Sequence, residues 1–186
     1  LKVIQYLGVS EDGHDVFAKT INSFMVGAGE RPSIETGFHA FLDSFVIHTH
    51  SIYANLLTCS KEGQGIVSEL FPDALWLPYF TPGKDLTMAL FSLVQKAKRV
   101  PRIIFLQNHG LVISGGLKDD LVGIHEMVNQ TICDYFGICM VTGMSDDLLD
   151  VSFMKDYVIF PDQVVYTCAG DDILSTLAAR ETIWCY

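Results

Sequence analysis

A chain of 186 residues with 49% hydrophobic residues most often forms one domain, and it can bury about 70% of the surface that it exposes when unfolded. Its formal net charge of -10 argues against a nucleic acid partner, because binding to phosphates relies on clustered lysine and arginine. No apolar run approaches the ~20 residues of a membrane span, so we expect no membrane insertion. The apolar surplus instead indicates burial between subunits of a homo-oligomer.

Five cysteines are dispersed along the chain, and no two have the Cys-x-x-Cys spacing. They are Cys59, Cys133, Cys139, Cys168 and Cys185. An odd number of scattered cysteines is typical of reduced, packed thiols. Because the start of the sequence shows no signal-peptide pattern, we expect a reducing, cytoplasmic location.

The first part of the chain predicts a helix, a turn and a loop. Residues 1–7 have amphipathic helical spacing, and the polar residues 10–15 predict a turn. Residues 16–25 are moderately apolar and fit either a helix or a strand. Residues 27–29, Gly-Ala-Gly, predict a linker, because the strand-then-helix context that surrounds a phosphate-binding glycine loop is not present around them.

A short helix is predicted over residues 35–42, directly after the sequence Arg-Pro-Ser at 31–33. Ser33 is suited to cap its N-terminus, which would place Glu35 in the first turn, where the helix dipole favours an ionised carboxylate. A carboxylate held beside a divalent metal can serve as a ligand or as a proton acceptor. We expect His39, one turn after Glu35, to have a packing role.

Two histidines alternate along the next element, a strand predicted over residues 45–49. Alternate side chains of a strand share a face, so His48 and His50 should point the same way, ~7 Å apart along the backbone. This geometry suits chelation of a divalent metal. An isolated His-x-His is also found as a half-buried pair on a sheet face, and the spacing alone does not separate the two interpretations.

Helices and strands alternate through the rest of the chain, which predicts an α/β layered domain. We expect a helix at 52–60, a loop at 61–65, an aromatic and proline-rich connection at 76–83, a helix at 85–97, strands at 102–106 and 111–114, a helix at 117–136, a turn at 144–147 and a strand at 164–166. His109 lies in the turn between the two middle strands, where its side chain can face a cleft. It is the candidate third ligand, since catalytic zinc sites use three protein ligands. His125, inside the long helix, is expected to make a structural or inter-subunit hydrogen bond.

Three short motifs follow one another in this order: Pro-Ser-x-Glu at 32–35, His-x-His at 48–50 and Asn-His-Gly at 108–110. Together they resemble the class II aldolase/adducin family, whose members include the L-fuculose-1-phosphate and L-rhamnulose-1-phosphate aldolases. The resemblance covers about residues 31–137. It implies that the three histidines of these motifs bind zinc, that Glu35 is the catalytic acid/base and that Ser33 lines the substrate phosphate pocket.

The resemblance also implies a fold and an activity. The fold would be a central, mainly antiparallel sheet flanked by helices, assembled as a tetramer with active sites near subunit interfaces. The activity would be that of a zinc-dependent aldolase, a lyase of carbohydrate metabolism. It would cleave a ketose, expected to be phosphorylated, to dihydroxyacetone phosphate and an aldehyde through a zinc-stabilised enediolate. Manganese, iron or cobalt would also suit a histidine-rich site.

Three other functions fit the same resemblance. Sugar-phosphate 4-epimerases and a dehydratase share the three-histidine pattern, although the Pro-Ser-x-Glu context favours an aldolase. The adducin head has this fold as a non-enzymatic interaction module, and retention of the histidines together with Glu35 argues against that function.

The sequence departs from the family pattern near its N-terminus. Relatives carry a Gly-Asn-x-Ser stretch and a Ser/Thr-Gly turn that help bind the substrate phosphate, and neither occurs here. Either the site binds something else, or residues are missing around positions 22–31. In the second case residues 1–186 form a class II aldolase/adducin-like domain that lacks part of the family's N-terminal region.

Overall fold

The structure is a computed structural model that describes residues 14–27, 29, 32–97, 100–140 and 184–185. The helix predicted at 1–7, the turn at 144–147 and the strand at 164–166 lie outside these residues. In the described part of the chain no helix is both long and apolar enough to cross a membrane.

The described residues form six helices and five strands, numbered here in chain order. The helices are α1 (His14–Ser23), α2 (Thr36–His39), α3 (Ile52–Thr58), α4 (Gly63–Leu70), α5 (Lys84–Lys96) and α6 (Lys118–Phe136). The strands are β1 (Phe45–Thr49), β2 (Leu75–Leu77), β3 (Ile103–Leu106), β4 (Gly110–Gly115) and β5 (Trp184–Cys185).

The strands form one mixed sheet in the order β2-β3-β4-β1-β5. β2 pairs with β3 in parallel, whereas the pairs β3–β4, β4–β1 and β1–β5 are antiparallel. The prediction of a mainly antiparallel sheet is therefore confirmed. In the β1–β4 pair, Thr49 lies opposite Leu111. The end of β1 consequently lies beside the start of β4, where the turn from β3 arrives.

Helices cover both faces of the sheet, as predicted. On one face, Ile47 and Phe105 belong to an apolar core that also contains residues of α3, α4 and α6. On the other face, Val46 and Ile104 pack with residues of α2 and α5. Successive strand residues alternate between the two cores, so β1 turns Val46 and His48 toward α2 and turns Ile47 and Thr49 toward α6.

Three sequence-based predictions of local structure outside the candidate site were wrong. Helix α4 includes most of the predicted loop at 61–65. Gly63 is needed here for close packing, because a Cβ atom at this position would collide with the carbonyl of Leu57. β2 overlaps the start of the predicted connection at 76–83 and forms through pairing with β3. α1 begins within the predicted turn at 10–15, and it shows that residues 16–23 are helical.

The described cysteines agree with the prediction of reduced thiols. Cys59, Cys133 and Cys139 are free, whereas Cys168 and the side chain of Cys185 lie outside the described residues. Burial raises the pKa of Cys59 and of Cys133, and a raised pKa lowers the fraction of reactive thiolate.

The C-terminus of α6 depends on a glycine. Gly137 has φ +64°, a left-handed conformation that side chains with a Cβ atom adopt at a cost of roughly 1–2 kcal/mol. It lets the N–H of Ile138 donate to the carbonyl of Cys133 at 2.9 Å and so closes the helix end.

Two glycine substitutions on α6 should therefore have opposite effects. We expect Gly137→Ala to lower the free energy of unfolding by about 1 kcal/mol. Gly123→Ala should raise it by roughly 0.5–1 kcal/mol, because Gly123 lies within the helix and nothing stands within 4 Å of its added Cβ. Urea unfolding of both variants measures the difference. Equal changes in the two variants would contradict the left-handed helix end.

Candidate metal centre

Four side chains that could bind a metal converge at the end of β1. The potential ligand atoms of Glu35, His48, His50 and His109 lie within 4.8 Å of one another. His48 Nε2 is 3.1 Å from His50 Nε2 and 3.2 Å from His109 Nε2. The structure thus brings together all three histidines and the carboxylate that the sequence singled out.

The spacing of the imidazole nitrogens fits a metal ion. His48 Nδ1 is 3.0 Å from the carbonyl oxygen of Leu111. Because a carbonyl only accepts, Nδ1 carries the proton and donates it, and the lone pair of Nε2 faces the other two rings. Nitrogens bound tetrahedrally at 2.0–2.1 Å from zinc are ~3.3 Å apart. The 3.1 Å and 3.2 Å distances are close to that value, so the spacing of His48 from His50 and from His109 suits a zinc-like ion.

Glu35 completes the cluster from α2. Its Oε1 lies 2.9 Å from His109 Nε2, and its Oε2 lies 3.4 Å from His48 Nε2. Burial raises the pKa of Glu35, but the hydrogen bonds and charges of His109 and His48 outweigh burial and hold this pKa well below its ordinary value. Burial also lowers the pKa of His109. An ionised carboxylate and neutral imidazoles are the forms that bind a divalent metal.

Ser33 fixes the backbone at Glu35. Its hydroxyl accepts a hydrogen bond from the Glu35 N–H at 3.2 Å. The predicted helix at 35–42 is shorter than expected and spans only Thr36–His39, so Glu35 occupies the N-cap position and the prediction that it lies in the first turn was wrong. A serine hydroxyl that accepts from the N–H two residues further along the chain is typical of an ST turn. Its role in binding substrate phosphate stays a prediction.

The turn that carries His109 is held by two neighbouring segments. The N–H of Gln107 donates to the carbonyl of Leu77 at 2.9 Å, and the N–H of Asn108 donates to the carbonyl of Thr58 at 2.9 Å. The ends of β2 and α3 therefore fix the position of His109. Sequence reasoning missed both contacts, because they join segments that are far apart in the chain.

The same turn requires an unusual backbone conformation. Asn108 has φ +52° and is the one non-glycine residue with positive φ in the described part of the chain. Asparagine tolerates this left-handed region better than most residues. A Cβ atom on the following Gly110 would collide with the carbonyl oxygen of Thr49. Backbone sterics thus explain both the asparagine before His109 and the glycine after it.

Two further histidines lie near the cluster. His39 stacks on Phe38 with ring centroids 4.8 Å apart, which agrees with the predicted packing role. Burial, followed by the charge of His48, lowers the pKa of His39 to about 4. His125 Nε2 is 3.0 Å from Thr49 Oγ1, which confirms the expected structural hydrogen bond.

Substitutions at Asn108 should show the requirement for left-handed backbone. Alanine and glycine both remove the exposed amide side chain, but only glycine adopts positive φ without cost. We expect Asn108→Ala to lose about 1 kcal/mol more stability than Asn108→Gly. Urea unfolding of the metal-free variants measures this difference. Equal stabilities would mean that the left-handed turn is not needed to hold His109.

The chain matches one family model. The model described as "Class II Aldolase and Adducin N-terminal domain" matches residues 9–133. No protein of curated function is significantly similar to the chain in sequence.

Solved structures that the chain matches include those of three bacterial or archaeal proteins. The N-terminal class II aldolase domain of a conserved protein from Thermoplasma acidophilum superposes with a TM-score of 0.63 at 21% identity, over 72% of this chain and 62% of that one. YgbL from Klebsiella pneumoniae has a TM-score of 0.47 at 25% identity, over 65% of each chain. YgbL from Escherichia coli has a TM-score of 0.47 at 20% identity, over 66% of this chain and 62% of that one.

The chain matches only part of each of these structures. The chain spans less than two thirds of the length of each. The Thermoplasma structure supports the fold. The descriptions of both YgbL proteins leave aldolase, epimerase and decarboxylase open.

Proposed function

Because the chain belongs to the class II aldolase and adducin N-terminal domain family, we propose that it is a metal-dependent aldolase acting on a small ketose, expected to be phosphorylated. The observation that carries this proposal is the convergence of three imidazoles and one ionised carboxylate at the end of β1. Histidine nitrogens with one carboxylate suit a catalytic divalent metal that keeps a position open for substrate.

The three histidines would hold the metal, and zinc suits their nitrogen-rich set best. When bound, the metal supplies Lewis-acid chemistry that stabilises negative charge developing on substrate oxygen. His48 and His109 are 4% and 5% exposed, while His50 and Glu35 are half-buried. The cluster is therefore closed on the side of the first pair and open toward solvent on the side of the second pair, where a substrate would enter.

Glu35 would move a proton at the reacting carbon. As an ionised carboxylate it can accept the proton from the carbon beside the carbonyl when the carbon–carbon bond forms, and it can return that proton in cleavage. The hydroxyl of Ser33 fixes the backbone of Glu35, which restrains the direction from which the Glu35 carboxylate approaches the reacting carbon. We propose that the half-buried Ser33 lies beside the substrate and contributes to binding a phosphate group.

The assembled cluster argues for an enzyme over a non-enzymatic interaction module. Gathering a carboxylate with three imidazoles in a partly buried site costs desolvation free energy, and a protein that only docks to partners gains nothing from it. Epimerases or dehydratases could use the same residues, and they are separated from an aldolase by the product formed.

Metal binding tests the site directly. We expect about one zinc ion per chain in protein reconstituted with zinc, measured by elemental analysis and by competition with a chelator. Substitution of a residue that only hydrogen-bonds to a metal ligand lowers metal affinity ~10–100-fold. His48→Ala removes a ligand itself, so its zinc affinity should fall by more than this. His39→Gln is the matched control, because His39 lies outside the cluster and should keep the full zinc content. Equal zinc content in both variants would remove His48 from the site.

Activity tests the proposed role of Glu35. Release of dihydroxyacetone phosphate should be seen with L-fuculose 1-phosphate or L-rhamnulose 1-phosphate. Glu35→Gln keeps the shape of the side chain but cannot accept a proton, so we expect kcat to fall about 10²–10⁴-fold while the histidines still hold zinc.

Three results would redirect the proposal. Zinc binding with no cleavage of either sugar would favour an epimerase, a dehydratase or an unphosphorylated substrate. Full activity in Glu35→Gln would exclude the carboxylate as the proton acceptor. A protein that takes up no metal would favour an adducin-like module.

A further inference from the structure

A polar network, buried except for the half-buried His125, joins α6 to the end of β1. Thr49 and Ser51 lie on either side of His50, and each is bonded to a residue of α6. Thr49 Oγ1 is 3.0 Å from His125 Nε2. The hydroxyl of Ser51 donates to Asn129 Oδ1 at 2.7 Å. His125 and Asn129, one turn apart on the helix, are joined through Nδ1 and Nδ2 at 3.4 Å.

The donors and acceptors of this network are consistent with a neutral His125. The amide nitrogen of Asn129 only donates, so His125 Nδ1 accepts and His125 Nε2 carries the proton that it donates to Thr49. Burial lowers the pKa of His125 despite the opposing charge of Glu126, which favours this neutral form. Thr49, Ser51 and Asn129 are at most 7% exposed, so water competes little for their bonds.

The network acts on the segment that carries His50. β1 ends at Thr49, and Thr49 is the last residue of β1 in the register with β4. His50 therefore follows the paired part of the strand, and its backbone is restrained through the residues that flank it. His48 lies within the paired strand, and its Nδ1 is bonded to the Leu111 carbonyl.

We propose that His125 and Asn129 are positioning residues for His50, an inference that rests on the proposed metal site. By holding the residues before and after His50, they fix where its imidazole stands relative to His48 and His109. Apolar residues of α6, including Leu121, Val128 and Ile132, already pack in the core on this face. Polar bonds are directional and apolar contacts are not, so the network adds a defined position that packing alone does not provide.

A double-mutant cycle on Thr49 and His125 tests the proposal. Thr49→Val removes the hydroxyl at nearly constant shape, and His125→Phe keeps an aromatic ring without the donor. We expect each single variant to weaken zinc affinity about tenfold, measured by competition with a chelator. The double variant should lose little more than either single variant, because the residues act through one shared bond.

Two controls separate positioning from general stability. Ile132 lies on the same helix and belongs to the apolar core, so Ile132→Val should lower the free energy of unfolding of the metal-free protein, measured with urea. Because Ile132 makes no bond in the network, this variant should leave zinc affinity unchanged. His125→Gln can still donate from its amide and should keep most of the affinity. If His125→Phe does not fold, the proposal is tested by comparing Thr49→Val, which removes the bond and should weaken zinc affinity, with His125→Gln, which keeps a donor and should not.

The outcomes distinguish this inference from the proposed function. Wild-type protein that binds no zinc would overturn the metal site and the inference together. Tight binding by the wild type, with Thr49→Val and His125→Phe no weaker than Ile132→Val, would overturn the inference alone. Strictly additive losses in the double variant would likewise exclude a shared positioning bond.

Discussion

The antiparallel pairing of β1 with β4 is the constraint on which the site depends. It sets Thr49 opposite Leu111, so the end of β1 meets the turn from β3. His48 Nε2 thereby comes within 3.2 Å of Nε2 of His109, which lies 61 positions further along the chain. The bond from His48 to the Leu111 carbonyl crosses the same strand pair. A slip of one residue would turn His48 to the opposite face of the sheet and dismantle the cluster.

The protonation of the cluster follows from its partly buried position. Burial disfavours charged imidazole, and the pKa of His109 is lowered accordingly, while the neighbouring donors keep Glu35 ionised against the effect of burial. The ionised carboxylate places a negative charge beside nitrogen ligands, and a divalent cation would offset this charge. The electrostatics and the spacing therefore both favour a divalent ion.

Much of this arrangement could be predicted from local sequence. The strand predicted over residues 45–49 has the observed bounds of β1, and the ordered motifs grouped Glu35 with the three histidines. Helix α4 could not be predicted from composition, because Gly63, which suggests a loop, is needed for close packing against the carbonyl of Leu57. β2 was missed since three residues carry little periodicity and form a strand only beside β3. The contact between Thr49 and His125 spans 76 positions, and no local pattern reveals it.

X-ray absorption spectroscopy of the zinc-loaded protein tests the central claim most directly, because it reports the atoms bound to the metal whatever the reaction is. Coordination by nitrogen and oxygen at about 2.0–2.1 Å, with the scattering pattern of imidazole rings, is the result that the cluster predicts. Sulfur ligands at about 2.3 Å, or the absence of imidazole scattering, would contradict a centre built from Glu35, His48, His50 and His109.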